Sequence, residues 1–112
     1  MSTHSPKLPS ISHLQFLALG VLLSGEQPGR LIRDAARGFG VRRSAAAFYQ
    51  MMARIERAGL VEGWYEQITV GDQAVTERRY RITTGGRKAW AQARAFYMEV
   101  GRAADRPRWS NA

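Results

Sequence analysis

Leu14, Leu17, Ala18, Val21 and Leu22 fall on one side of a helical period. They predict a first helix from about Ser12 to Ser24, begun by Ser12 or His13. The stretch SGEQPG closes it, with Gly25 as the stop and Pro28 near the start of the next helix. Leu31, Ile32, Ala35, Ala36 and Phe39 predict a second helix over residues 28–39, broken by Gly38 and Gly40. A third runs from Ser44, a candidate N-cap, to Ala58, with Gly59 just beyond its end. There the pattern changes. LVEGWYEQITV and VTERRYRIT are rich in β-branched and aromatic residues and flank the turn signal GDQ, so they read as a hairpin. Thr83 or Thr84 then caps a last helix reaching about Ala103.

These elements divide the chain into a flexible arm (1–11), a compact domain (12–83), a C-terminal helix (84–103) and a polar, disordered tail (104–112). The fold expected is mainly α with a small β-hairpin. Three helices followed by a hairpin are the parts of a winged helix-turn-helix domain, and an arbitrary small α+β domain is the alternative.

The third helix has two faces. Phe48, Met52 and Ile55 form the buried one, with Ser44, Met51 and Gly59 beside them. The opposite face carries Arg43, Ala46, Gln50, Ala53 and Arg57, flanked by Arg42 and Arg54, with Tyr49 at the margin. Small side chains allow close approach to a surface. Arginines neutralise phosphates, and Ser44 with the helix N-terminus can hold another. Gln50, the one amide on this face, matches the paired donor and acceptor of an adenine edge. The bland reading is that the arginines are merely solvated and the alanines merely good helix formers.

Charge weighs against that reading. The chain has 112 residues, with 17 Lys and Arg against 9 Asp and Glu and a net charge of +8, which attracts polyanions. Its hydrophobic fraction of 45% is too high for compositional disorder. The absence of cysteine excludes disulfides, thiolate metal sites and cysteine nucleophiles. The apolar run LQFLALGVLL is too short to span a bilayer, and neither a basic segment before it nor a cleavage site after it marks a leader, so a soluble cytoplasmic protein is expected.

On the last helix, Trp90, Ala93, Tyr97 and Val100 form a stripe with Phe96 beside it. With the core already filled by three helices and a hairpin, that stripe suggests a second chain. Packing back onto its own domain is the alternative. The same aromatics, Trp90, Phe96 and Tyr97, are candidates to line a site for a small aromatic or apolar effector.

Three blocks resemble the PadR family of bacterial transcriptional regulators over residues 13–100. LQFLALGVLLSGEQPGRLI is similar to the family's leucine-rich opening helix and the start of its second helix. SAAAFYQMMARIERAGLV is similar to its third helix, with Tyr49, Arg54, Glu56, Gly59, Leu60 and Val61 matching. RRYRITTGGRKAW is similar to the return strand and the start of the last helix. The usual Gly-Thr and Pro around the tyrosine are Ala46-Ala47 and Gln50 here, so no operator sequence carries over. The resemblance implies a winged helix whose terminal helix dimerises, bound to double-stranded DNA at a palindromic operator.

The resulting expectation is a homodimeric repressor. Arg42, Arg43, Ser44, Ala46, Tyr49 and Arg54 lie at DNA, Gln50 reads bases, and Arg78 and Arg79 contact phosphates from the return strand. The wing tip VGDQAVTE has two acids and no basic residue, so deep insertion into a minor groove is not expected. A winged-helix protein-interaction module and a non-specific nucleoid binder are the rival readings. No cofactor, metal site or enzymatic activity is expected. The two histidines, His4 and His13, lie near the N-terminus, and no metal-ligand spacing or phosphate loop occurs.

Overall fold

The computed structural model describes residues 7–106. Residues 1–6 of the expected arm, with His4, and residues 107–112 of the expected tail lie outside the described residues. Helix α1 spans His13–Val21 and begins with a reciprocal capping box. The Ser12 hydroxyl accepts from the Gln15 amide, and the Gln15 side chain accepts from the Ser12 amide. A 3-10 turn, Leu22–Ser24, leads to Gly25. A short strand β1, Gln27–Pro28, precedes α2, Gly29–Gly38. Helix α3 covers Ala45–Arg57 and is capped by Ser44, whose Oγ accepts from the Ala47 amide at 3.1 Å. Gly59, at φ +78°, turns the chain out of α3 in a conformation that favours glycine. Strands β2 (Val61–Val70) and β3 (Gln73–Ile82) form the hairpin, and α4 runs Thr84–Asp105. The Thr83 hydroxyl caps α4 at the Gly86 amide and donates to the Gly59 carbonyl at 2.6 Å, tying the last helix to the end of α3.

The sheet has three strands in the order β1-β3-β2, all antiparallel. β1 was not expected. Two residues, one of them proline, show no period of their own, and Pro28 is tolerated because β1 is an edge strand. The hairpin turn holds two residues, Gly71 and Asp72, rather than the three of GDQ, because Gln73 pairs with Val70. Gly71 supplies the positive φ (+63°) that a tight hairpin turn needs at its first position.

Phe48, Met51, Met52 and Ile55 of α3 close on Leu14, Ala18, Leu19 and Leu22, on Ile32 and Ala36 of α2, and on Val61 and Tyr80 of the sheet. α1 is apolar on more than one side. Leu19 is fully buried, although it lies outside the predicted stripe. The second side receives α4. Ala93 is fully buried there, and Phe16 stacks on Trp90 with ring centroids 5.6 Å apart and planes 9° apart. Phe16 also meets Tyr97 at 5.3 Å, and the Tyr97 hydroxyl lies 2.9 Å from His13 Nδ1. Trp90, Ala93 and Tyr97 therefore pack on their own domain, the alternative reading of the stripe, with Ala93 buried and Trp90 and Tyr97 half-buried. The core was not filled by the first three helices, because α1 needed a cover on both sides. Phe96 is half-buried, and Val100 stays 46% exposed further along α4.

Candidate nucleic-acid interface

Burial of Phe48, Met51, Met52 and Ile55 fixes the rotation of α3 and turns Ala46, Gln50, Arg54 and Arg57 to solvent. Arg42, Arg43 and Ser44, just before the helix, are exposed as well. None of Arg42, Arg43, Arg54 and Arg57 has a carboxylate within 4 Å among the described residues. Arg33 of α2 donates two hydrogen bonds to the Arg43 carbonyl, at 3.3 and 3.0 Å, and so holds the approach to the N-terminus of α3. The expected α3 residues therefore share one solvent-facing surface: four unpaired guanidiniums, one amide and small side chains between them.

Tyr49 is half-buried. Its ring covers Gly29 so closely that a Cβ there would sit 2.6 Å from a ring carbon and 2.8 Å from the hydroxyl. It meets Phe48 edge-on at 5.1 Å. Burial pushes its phenol pKa up, with Arg33 pulling the other way, so the hydroxyl keeps its proton and can donate. Tyr49 both couples α3 to the first turn of α2 and offers a donor at the edge of the face.

The hairpin arginines behave differently. Arg78 donates to Glu56 at 2.7 Å and lies over the rings of Tyr65 (4.7 Å) and Tyr80 (5.5 Å). Burial acts to lower its pKa, but hydrogen bonds with Glu56 and Tyr80 leave it raised. Arg79 is held by Glu77 at 2.7 Å, Glu26 at 3.5 Å and Glu66 at 4.0 Å. The bond to Glu77 is the main cause of its raised pKa. Its side chain is 18% exposed. Arg81 pairs with Glu62 at 2.7 Å above Trp64. Arg78 and Arg79, the hairpin residues expected at phosphates, are thus paired within the chain. Their charges are met by carboxylates of the same domain, and releasing them would cost Glu56 its partner and Glu77 its nearest cation, leaving Glu77 with Arg30 at 3.4 Å. The signal was present in the alternating acids Glu62, Glu66 and Glu77 along the same two strands.

Between α3 and the hairpin lies an open groove of about 860 Å³, bordered by Tyr49, Ala53, Tyr65, Val75, Arg78 and Tyr80. The sequence carries no local sign of it, because it arises from how the hairpin leans on α3. Among the described residues no three His, Asp or Glu side chains gather as metal ligands, and no helix is long and apolar enough to cross a membrane.

No protein-family model matches the sequence, and no curated protein matches it. Solved structures do. A PadR-family transcription regulator from Clostridium difficile is similar at a TM-score of 0.72 and 14% identity, over 85% of this chain and 97% of that one. A PadR-family transcriptional regulator from Eggerthella lenta is similar at 0.64 and 22%, over 83% and 79%. Bacillus subtilis PadR in complex with operator DNA is similar at 0.57 and 18%, over 71% of this chain and 45% of that one. At these identities the likeness is one of fold. The chain has a PadR-like winged-helix fold with a long C-terminal helix.

Proposed function

We propose that this chain, with its PadR-like fold, is a sequence-specific DNA-binding transcriptional regulator of the PadR type, a cytoplasmic homodimer that represses by occupying an operator. The observation that carries the reading is the outer face of α3 and the residues just before it, where Arg42, Arg43, Arg54 and Arg57 have no carboxylate partner among the described residues and share a surface with Gln50. A solved structure of similar fold is a PadR bound to operator DNA. On this reading α3 enters the major groove. Arg42, Arg43, Arg54, the Ser44 hydroxyl and the Tyr49 hydroxyl hold phosphates, while Ala46 lets the helix approach closely and Gln50 reads a base edge. A two-fold partner would present a second α3 about one helical turn away. The apolar surface left for such a partner lies on α4, where Met98 and Val100 are 43% and 46% exposed and Phe96 is half-buried. The effector reading keeps a hollow of about 350 Å³, where Leu8, Ile11 and His13 face Phe96 and Tyr97. No catalytic role is proposed.

The deciding experiment is fluorescence anisotropy with DNA from upstream of the protein's own gene against scrambled DNA, titrating salt. A site bound at least ~10³-fold more tightly than scrambled DNA supports a specific regulator. Equal binding that collapses with salt leaves only electrostatics and overturns it. Gln50→Ala should cost about 1–3 kcal/mol on the preferred site and relax discrimination at one base. An unchanged ratio of specific to random binding would remove its base-reading role.

A further inference from the structure

We propose that Phe39, in the connection between α2 and α3, is an apolar DNA-contact residue that works beside the arginines of α3; the inference rests on the DNA-binding reading above. Phe39 is 79% exposed, matched among the large apolar side chains of the described residues by Leu8 alone, at their edge. Leaving such a ring in water forgoes the stabilisation that burying a large apolar side chain gives. The backbone that carries it is held in place. The amides of Phe39, Gly40 and Val41 donate to the carbonyls of Ala36, Arg37 and Ala36 at 3.0, 2.9 and 3.0 Å. Arg33 pins the far end of the connection through the Arg43 carbonyl. The ring is therefore displayed from a fixed turn.

Charge identifies the occupant. Arg42 and Arg43 follow Phe39 within four residues, and neither has a carboxylate partner among the described residues. Tyr65, Val70 and Val75, also exposed, stand instead on the acid-bearing hairpin. A ring followed by two unpaired guanidiniums, with Arg37 before it paired to Asp34 at 3.5 Å, matches a duplex, whose phosphates alternate with deoxyribose and with groove walls that bear thymine methyls. Apolar side chains at such places pack on the sugar or wedge between base steps.

The test uses the full chain and a fluorescein-labelled duplex of random sequence, titrated at several salt concentrations. Because the ring releases no counterion, Phe39→Ala should weaken binding by about tenfold at every salt concentration and leave the salt slope unchanged. Arg42→Ala should lower the slope by about one unit. Phe39→Leu should fall between parent and Phe39→Ala. The melting temperature should not move, since the ring is outside the core. Phe39→Ala binding within about twofold of the parent, the range of neutral surface changes, would overturn the inference. So would a change in sedimenting mass with DNA affinity intact, which would assign the ring to a protein contact. A parent that binds no duplex would overturn both readings. A parent that binds all duplexes equally, with Phe39→Ala weaker, would remove the specific regulator and leave Phe39 at DNA.

Discussion

Between Gly29 and Arg57 the chain carries seven arginines against two carboxylates, and between Val61 and Ile82 three arginines against four. Among the described residues only Arg30 and Arg37 of the seven meet a carboxylate, Glu77 and Asp34, whereas all three hairpin arginines do, and the backbone geometry explains much of the difference. On a helix, an arginine finds partners three or four residues away. For Arg54 those positions hold Gln50, Met51, Arg57 and Ala58, and none is acidic. In the hairpin, cross-strand and same-strand neighbours lie within a few ångströms on one face. There Glu62 meets Arg81, and Glu66 and Glu77 meet Arg79. Positive charge is left available on α3 and neutralised on the wing. Arginine count along the sequence is thus a poor guide to where a polyanion binds, and pairing is a better one.

Removing free charge should have the largest effect on binding. Arg43→Ala combined with Arg54→Ala should lower the slope of log affinity against log salt by about two units. Its thermal midpoint should stay within about 2 °C of the parent, as for surface changes worth less than about 0.5 kcal/mol. A melting temperature that falls while the slope holds would reverse the comparison. Removing locked charge should instead register as stability. Arg79→Met leaves Glu77, whose side chain is 11% exposed, without its nearest cation. A fully buried pair broken this way costs about 3–5 kcal/mol. With solvent reaching the Arg79 side chain, about 1–2 kcal/mol is expected, a drop of roughly 5–10 °C in Tm. The salt slope of DNA binding should not change. Adding Glu77→Gln to Arg79→Met should recover part of the loss, measured by the same melt.

Local signals were legible and long-range ones were not. The caps at Ser12, Ser44 and Thr83 and the stop at Gly59 depend on a few neighbouring residues and can be read from the chain. So could the two faces of α3, because a single period of apolar residues sets its rotation. Glu77, two residues before Arg79 on its own strand, was legible; Glu56 of α3, the partner of Arg78, was not, and the cross-strand contact of Arg79 with Glu66 depends on hairpin register, which the turn decides. A three-residue turn at GDQ would place Arg79 opposite Tyr65, whereas the two-residue turn places it opposite Trp64, on the face that carries Glu66 and Glu77. One residue of slip exchanges the faces. The stripe on α4 was legible as apolar but not as to its partner. Phe16 and His13 lie some eighty residues away from Tyr97, and nothing local distinguishes an internal cover from a second chain.

The smallest expected effect tests the wing directly. Val70 and Val75 leave the distal hairpin apolar, Asp72 makes its turn acidic, and the basic residues of β3 are paired near its base. If the tip stands clear of DNA, Asp72→Lys should change affinity by no more than about twofold at physiological salt, where charges beyond about 8 Å are screened. The salt slope should stay as it was. A tip that reaches the minor groove would respond otherwise. Replacing a carboxylate by an ammonium there would strengthen binding by tenfold or more and raise the slope by about one unit for the added phosphate contact. Anisotropy across salt separates the two, because the slope counts contacts whatever the affinity. An increase would place the neutral wing in the interface and reduce the difference between the two regions to one of charge alone. No increase would leave DNA contact to α3 and the turn before it.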